Sequence, residues 1–89
     1  SGLLGVMKTV AQEVAAQGIT VNAIMPGSTL TRRMEDFKES VEELAKQIPA
    51  KRLGKPEEFA ALATFLASEP AAYITGQAIA SDGGLIQGI

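Results

Sequence analysis

The run VNAIMPGSTLT, residues 21–31, sets an apolar, β-rich segment against a string of small hydroxylated residues, with Pro26 and Gly27 between them. Proline rigidifies the exit and removes a backbone donor, and glycine lets the backbone come close to whatever lies over it. Ser28, Thr29 and Thr31 then bring hydroxyls and backbone groups within a few residues of one another. Ligands of open α/β sheets bind outside the carboxyl ends of the strands, so this is where a site is sought. Taken alone, the same residues make a turn with N-cap candidates for the next helix.

The remaining residues narrow the chemistry. There is no histidine and no cysteine, which removes the usual general base, the commonest metal ligand, disulfides and thiolate metal sites. Tyr73 is the only tyrosine, and the residue four later is Gln77. A phenol needs a nearby cation to lower its pKa, so Tyr73 reads as a packing or interface residue. Asn22, inside the strand, is expected to satisfy local backbone groups, and Asp82 before Gly83 and Gly84 to make a turn. No residue of the chain is assigned a catalytic or metal-ligating role. Arg32 and Arg33 fall near a helix N-terminus, which disfavours cations. They hint at an anionic substrate or carrier partner, or are simply solvated.

With a net charge of −2, the chain shows no basic patch of the kind that binds nucleic acid. The segment SGLLGVMKTV has no basic n-region, and Lys8 breaks its apolar run, so it is not a signal peptide. No stretch approaches the ~20 apolar residues of a membrane span. No membrane is expected, and the setting is expected to be cytoplasmic.

The elements around the turn follow from periodicity. Leu3, Leu4, Met7, Val10, Ala11 and Val14 recur at helical spacing and predict a helix over 3–17, closed by Gly18. ITVNAIM, residues 19–25, predicts a strand buried on both faces, as in a parallel sheet. Met34, Phe37, Val41, Leu44 and Ile48 form a narrow stripe on a helix over 33–47, with Glu42 and Lys46 as an i,i+4 pair and Pro49 as its stop. KRLGK is a loop. Pro56, Glu57 and Glu58 open a third helix, with Phe59, Leu62, Ala63 and Leu66 on its buried face and Ser68-Glu69-Pro70 at its end. QAIAS, residues 77–81, predicts a second strand. A helical crossover makes the two strands parallel and right-handed, so the class is α/β. Two strands are not a sheet, and a 19–25 strand left with an open edge is an aggregation hazard. The 89 residues are therefore expected to be the C-terminal third of a larger α/β domain.

Four segments, in order, carry a likeness: SGLLGVMKTVAQEVAAQGITVNAIMPG, the PGSTLT element, RLGKPEEFAALATFLASE and AAYITGQAIASDGG. Over essentially its whole length the chain resembles the C-terminal part of the short-chain dehydrogenase/reductase family, and is similar to its 3-oxoacyl-carrier-protein reductases. The resemblance implies a doubly wound, Rossmann-like parallel sheet, with residues 1–89 as the C-terminal part of one dinucleotide-binding domain. On that template the 3–17 helix is the one whose start carries the catalytic Tyr-x-x-x-Lys. Strand 19–25 is the sixth strand and 77–81 the seventh, at the sheet edge. The family's lysine directly precedes a segment like SGLLG, so its tyrosine and lysine are expected just before Ser1, and the glycine-rich phosphate loop far earlier.

The resemblance also implies that Pro26 and Gly27 pack against the nicotinamide of NAD or NADP. Thr29, standing where the family has isoleucine or valine, would hold the nicotinamide carboxamide through its backbone, and Thr31 would hydrogen-bond the cofactor. Ser28, Leu30, Met34 and Phe37 would line the substrate pocket under the family's lid. The implied activity interconverts a ketone and a secondary alcohol by hydride transfer, in the manner of 3-oxoacyl reductases or of sugar and polyol dehydrogenases. The implied assembly is a homo-oligomer, tetramer or dimer, with Phe59, Phe65 and Tyr73 as contact candidates. The alternative is a non-catalytic fragment acting as a fold-completing or oligomerisation module.

Overall fold

A computed structural model describes residues 2–30 and 36–85 of the chain. Helix α1, Gly2–Val14, is followed by a 3-10 turn over Ala15–Gln17. Gly18 then takes the left-handed conformation at φ 78° and returns its N–H to the Ala15 carbonyl. A β-carbon is strongly disfavoured there, which is why the helical pattern stops at that glycine.

Strand β1 is Ala23–Pro26 and strand β2 is Ala78–Ser81. Among the described residues they form a two-stranded sheet. The Gly76 N–H bonds the Val21 carbonyl, Ala23 N–H bonds Gln77, and Gly27 N–H bonds Ser81. Residue numbers rise together on both sides, so the pairing is parallel, as expected. β1 begins four residues later than the expected 19–25 strand. The Val21 N–H is taken by the Thr75 hydroxyl at 3.0 Å, and the Asn22 side chain also bonds this connection: Nδ2 donates to the Ile74 carbonyl and Oδ1 accepts the Gln77 N–H. Residues 19–22 are thus a lead-in outside the strand, held in part by side chains. Asn22 does satisfy backbone groups, but those of a segment more than fifty residues away.

Helix α2 runs Lys38–Gln47. The expected start at residue 33 lies outside the described residues. Phe37 stands at the N-cap position without a side-chain cap, and Ile48 closes the helix in an extended conformation, the conformation imposed on a residue that precedes proline. The expected Glu42–Lys46 pair is replaced by Lys46 with Glu43 at 3.3 Å, both largely exposed, an arrangement that contributes little. Helix α3 is Pro56–Leu66, with proline in the first position and Glu57 and Glu58 in the first turn. Its expected buried face is only half-buried at Phe59, Leu62 and Leu66, and Ala63 is exposed. A second 3-10 turn spans Glu69–Ala71.

The chain clusters into two compact units: residues 1–24 with 62–79, and residues 25–61 with 80–89. In the first, Ala11 and Ala71 are buried, and Lys8 Nζ donates to the Gly76 carbonyl at 2.7 Å. In the second, Ile48 and Leu53 are buried. Gly83, at φ 65°, lies directly over Ile48: a β-carbon there would fall 2.9 Å from Ile48 Cγ2. Among the described residues no helix is long and apolar enough to cross a membrane.

Candidate functional site

The carboxyl end of β1 enters a turn that three stretches of the second unit hold in place. Pro26 is the last strand residue and is exposed. Gly27 donates its N–H to the Ser81 carbonyl at 2.9 Å. Its missing side chain has a local cause: a β-carbon on Gly27 would stand 2.7 Å from Asp82 Cβ and 2.8 Å from Asp82 Cα. The close approach at Gly27 is therefore to the end of β2. Asp82 in turn accepts the Gly84 N–H on Oδ1 at 2.9 Å, and Ala50 N–H reaches the Gly83 carbonyl at 3.0 Å. Asp82 makes the expected turn, with Gly83 and Gly84 both at positive φ.

Thr29 forms an isolated parallel bridge with Gly54. The Gly54 N–H donates to the Ser28 carbonyl at 2.9 Å, and the Leu30 N–H donates to the Gly54 carbonyl at 2.8 Å. In a parallel bridge the peptide groups on either side of a residue make the bonds, and the residue's own N–H and C=O point to the opposite side. The Thr29 backbone therefore turns a donor and an acceptor away from Gly54. Among the described residues neither has a partner. The Thr29 hydroxyl makes a long bond, 3.4 Å, to the Gly27 carbonyl.

An ion pair spans Gly54 along the chain, joining the KRLGK loop to the start of α3. Arg52 donates from Nη1 to Glu58 Oε1 at 2.7 Å and from Nη2 to Oε2 at 2.8 Å. Glu58 Oε1 also accepts the Lys55 N–H at 2.8 Å, the reach-back of a third-position glutamate to the residue before the helix. The Arg52 bond, and after it the Lys55 N–H, hold the Glu58 carboxyl down at about 2, and the same contact raises the Arg52 pKa. An acid at the third helical position, six residues after an arginine, was the available signal. Gly54 carried none, since its role is wholly backbone.

Ser28 and Thr29 line a small cleft of about 70 Å³ with Arg52, Gly54, Glu58 and Phe59. That is well below the roughly 300 Å³ of a small-molecule pocket. Of the other sequence-derived site residues, Leu30 lines a separate groove with Lys38, Val41 and Glu42, and Phe37 is 60% exposed beside another depression. The structure thus does not gather Ser28, Leu30 and Phe37 into one pocket. Thr31 and Met34, with Arg32 and Arg33, lie outside the described residues. Tyr73 is fully exposed and Phe65 partly so, while Phe59 lines the small cleft.

A family model described as "Enoyl-(Acyl carrier protein) reductase" matches residues 1–86. An acetoacetyl-CoA reductase from Shinella zoogloeoides is 49% identical over 86 residues, covering 94% of this chain and 36% of that protein. The 3-oxoacyl-(acyl-carrier-protein) reductase FabG of Thermotoga maritima is 46% identical over 87 residues, covering 97% of this chain and 35% of its own length. Among solved structures, an NADPH-dependent reductase involved in bacilysin biosynthesis superposes with a TM-score of 0.87 at 43% identity, covering 99% of this chain and 38% of that one. A Serratia marcescens short-chain dehydrogenase/reductase superposes at 0.83 with 36% identity, over 94% of this chain and 34% of its own. The chain spans about a third of the length of these curated relatives. Its α/β elements, its parallel strand pair and these matches agree on one assignment: the chain belongs to the short-chain dehydrogenase/reductase family.

Proposed function

We propose that the protein carrying this chain is an NAD(P)-dependent oxidoreductase that interconverts a ketone and a secondary alcohol, with a 3-oxoacyl thioester as the preferred ketone. The observation that carries this reading is the Thr29 backbone, which turns an N–H and a C=O together away from the Gly54 bridge at the carboxyl end of β1. A carboxamide offers the complementary acceptor and donor, so the residues present fit a nicotinamide. The bound cofactor would supply the hydride. Pro26 and Gly27 shape the approach, Thr29 orients the carboxamide, and Thr31 adds a hydroxyl contact. Ser28, Leu30, Met34 and Phe37 would contact the substrate, although Ser28, Leu30 and Phe37 line separate depressions in this structure. The 3-oxoacyl preference draws its support from the relatives named for acetoacetyl-CoA and 3-oxoacyl carriers.

Proton transfer belongs to residues outside these 89. With its only tyrosine fully exposed and Gln77, not a cation, four positions later, the chain would supply the nicotinamide-side turn and the sheet edge of a larger dinucleotide-binding domain. The test is steady-state turnover of acetoacetyl-CoA with NADH and NADPH. Thr29→Ala should leave the cofactor KM within about twofold, because its role is backbone, and Thr31→Ala should raise it about three- to tenfold, the weight of one lost hydrogen bond. No turnover with either cofactor, or the reverse ranking of the two variants, would overturn the reading.

A second reading has its own observation. Leu3, Val6, Phe65 and Tyr73 stand exposed, as on a piece that completes a fold or an oligomer. It predicts that the 89-residue chain alone binds neither NADH nor NADPH, read by cofactor fluorescence. Binding by the chain alone would remove it.

A further inference from the structure

We infer that Arg52 and Glu58 are positioning residues for the strand-exit turn, their clasp fixing Gly54 and, through Gly54, the direction of the Thr29 peptide groups. This deepens the proposed function and rests on the cofactor role of Thr29. Gly54 makes both backbone bonds of the bridge, yet it has no side chain of its own to hold it. A β-carbon there would touch only the Ser28 carbonyl oxygen and the Thr29 hydroxyl, each at 3.8 Å. What holds Gly54 must therefore act on its neighbours. Glu58 grips the loop on both sides: Arg52 ahead of Gly54 through two nitrogens, and the Lys55 N–H behind it. Arg52 Nη1 also donates to the Leu53 carbonyl at 3.2 Å, and Leu53 is buried. The loop is thus pinned at Arg52, Leu53 and Lys55, and the bridging glycine is the residue left between the pins.

A planar guanidinium on a carboxylate sets orientation as well as distance, and a lysine does not reproduce it. Both side chains are about half exposed, and exposed pairs add little to stability. The clasp therefore acts more on where the turn stands than on whether the chain folds.

The test compares Arg52→Gln, Arg52→Lys, Glu58→Gln and the double variant Arg52→Gln/Glu58→Gln in the protein carrying this chain, with acetoacetyl-CoA and NADH or NADPH. Glu43→Gln, which breaks the exposed Lys46 pair, is the control. Arg52→Gln should raise the cofactor KM about three- to fivefold, within the range of one exposed pair, and leave the acetoacetyl-CoA KM unchanged. Arg52→Lys should recover only part of the loss. The double variant should be no worse than the poorer single one, because both remove the same contact. Amide exchange at Leu30 and Gly54 should quicken about three- to fivefold while Val41 stays unchanged, as expected of local opening. A fall in melting temperature with no change in cofactor KM would assign the pair a purely structural role and overturn the inference. Wild-type protein that uses neither cofactor would take away the proposed function and this inference together. Wild-type turnover with an unmoved KM in Arg52→Gln would take away the inference alone.

Discussion

At the scale of single residues, the turn after β1 is set by close approach and by one carboxylate. Gly27 has no room for a β-carbon, because Asp82 main-chain and side-chain carbons already stand within 3 Å of where it would lie. Gly27→Ala must push the two strand ends apart and stretch the Gly27–Ser81 bond. Overpacking of this kind costs about 1–3 kcal/mol, readable as a lower denaturation midpoint in urea. Glu58 has its own signature. Its folded pKa, about 2, lies below the ordinary 4.5, so its contribution is fully present above about pH 4.5 and disappears as the pH falls toward 2. The urea midpoint of the wild type should therefore fall over that window more steeply than that of Glu58→Gln, and the two curves should converge at the acid end. Equal slopes would mean that the clasp adds nothing measurable to stability, as with many exposed pairs. The glycine at position 27 was legible in the sequence as a close-approach residue, but its neighbour was not: Asp82 lies 55 positions away, and nothing local announces the contact.

At the scale of elements, punctuation was easier to read than boundaries. Gly18, Pro49 and Pro56 are backbone devices with local causes, and each marks a helix end or start where the structure has one. β1 starts later than its β-branched content predicts, because such content describes extended backbone and not its partner. Residues 19–22 include the β-branched Ile19, Thr20 and Val21, but the Thr75 hydroxyl and the Asn22 amide take bonds that a ladder would make. That substitution has a measurable weight. Asn22→Ala removes the Nδ2 bond to Ile74 and the Oδ1 bond from Gln77, leaving a half-buried carbonyl and an exposed N–H without these partners. About 1–3 kcal/mol of destabilisation follows, with faster amide exchange at Gln77 and little change in α2. Unchanged exchange at Gln77 would mean that the strand ladder alone fixes this connection.

At the scale of the molecule, large apolar side chains stand exposed, as the proposed place in a larger domain predicts. Leu3, Val6 and Val10 lie one and two helical turns apart on α1, so they share a face, and Leu3 and Val6 are 79% and 62% exposed. The four buried apolar residues among those described are Ala11, Ile48, Leu53 and Ala71, a small core for so apolar a sequence. That shortfall was foreseeable from two strands and one crossover, because a doubly wound sheet needs neighbours on each side of its inner strands and helices over both faces. A chain with this exposure cannot offset the conformational entropy of ordering its backbone as a complete domain does. The 89 residues alone should bind 8-anilinonaphthalene-1-sulfonate and unfold over a broad, weakly cooperative urea transition. On the proposed reading, a polypeptide that supplies the other strands of such a domain should abolish the dye binding and bring a single sharp unfolding step. A sharp transition and no dye binding by the 89 residues alone would mean that the α1 stripe is covered without any other segment, and the place of this chain as one part of a larger dinucleotide-binding domain would have to be given up.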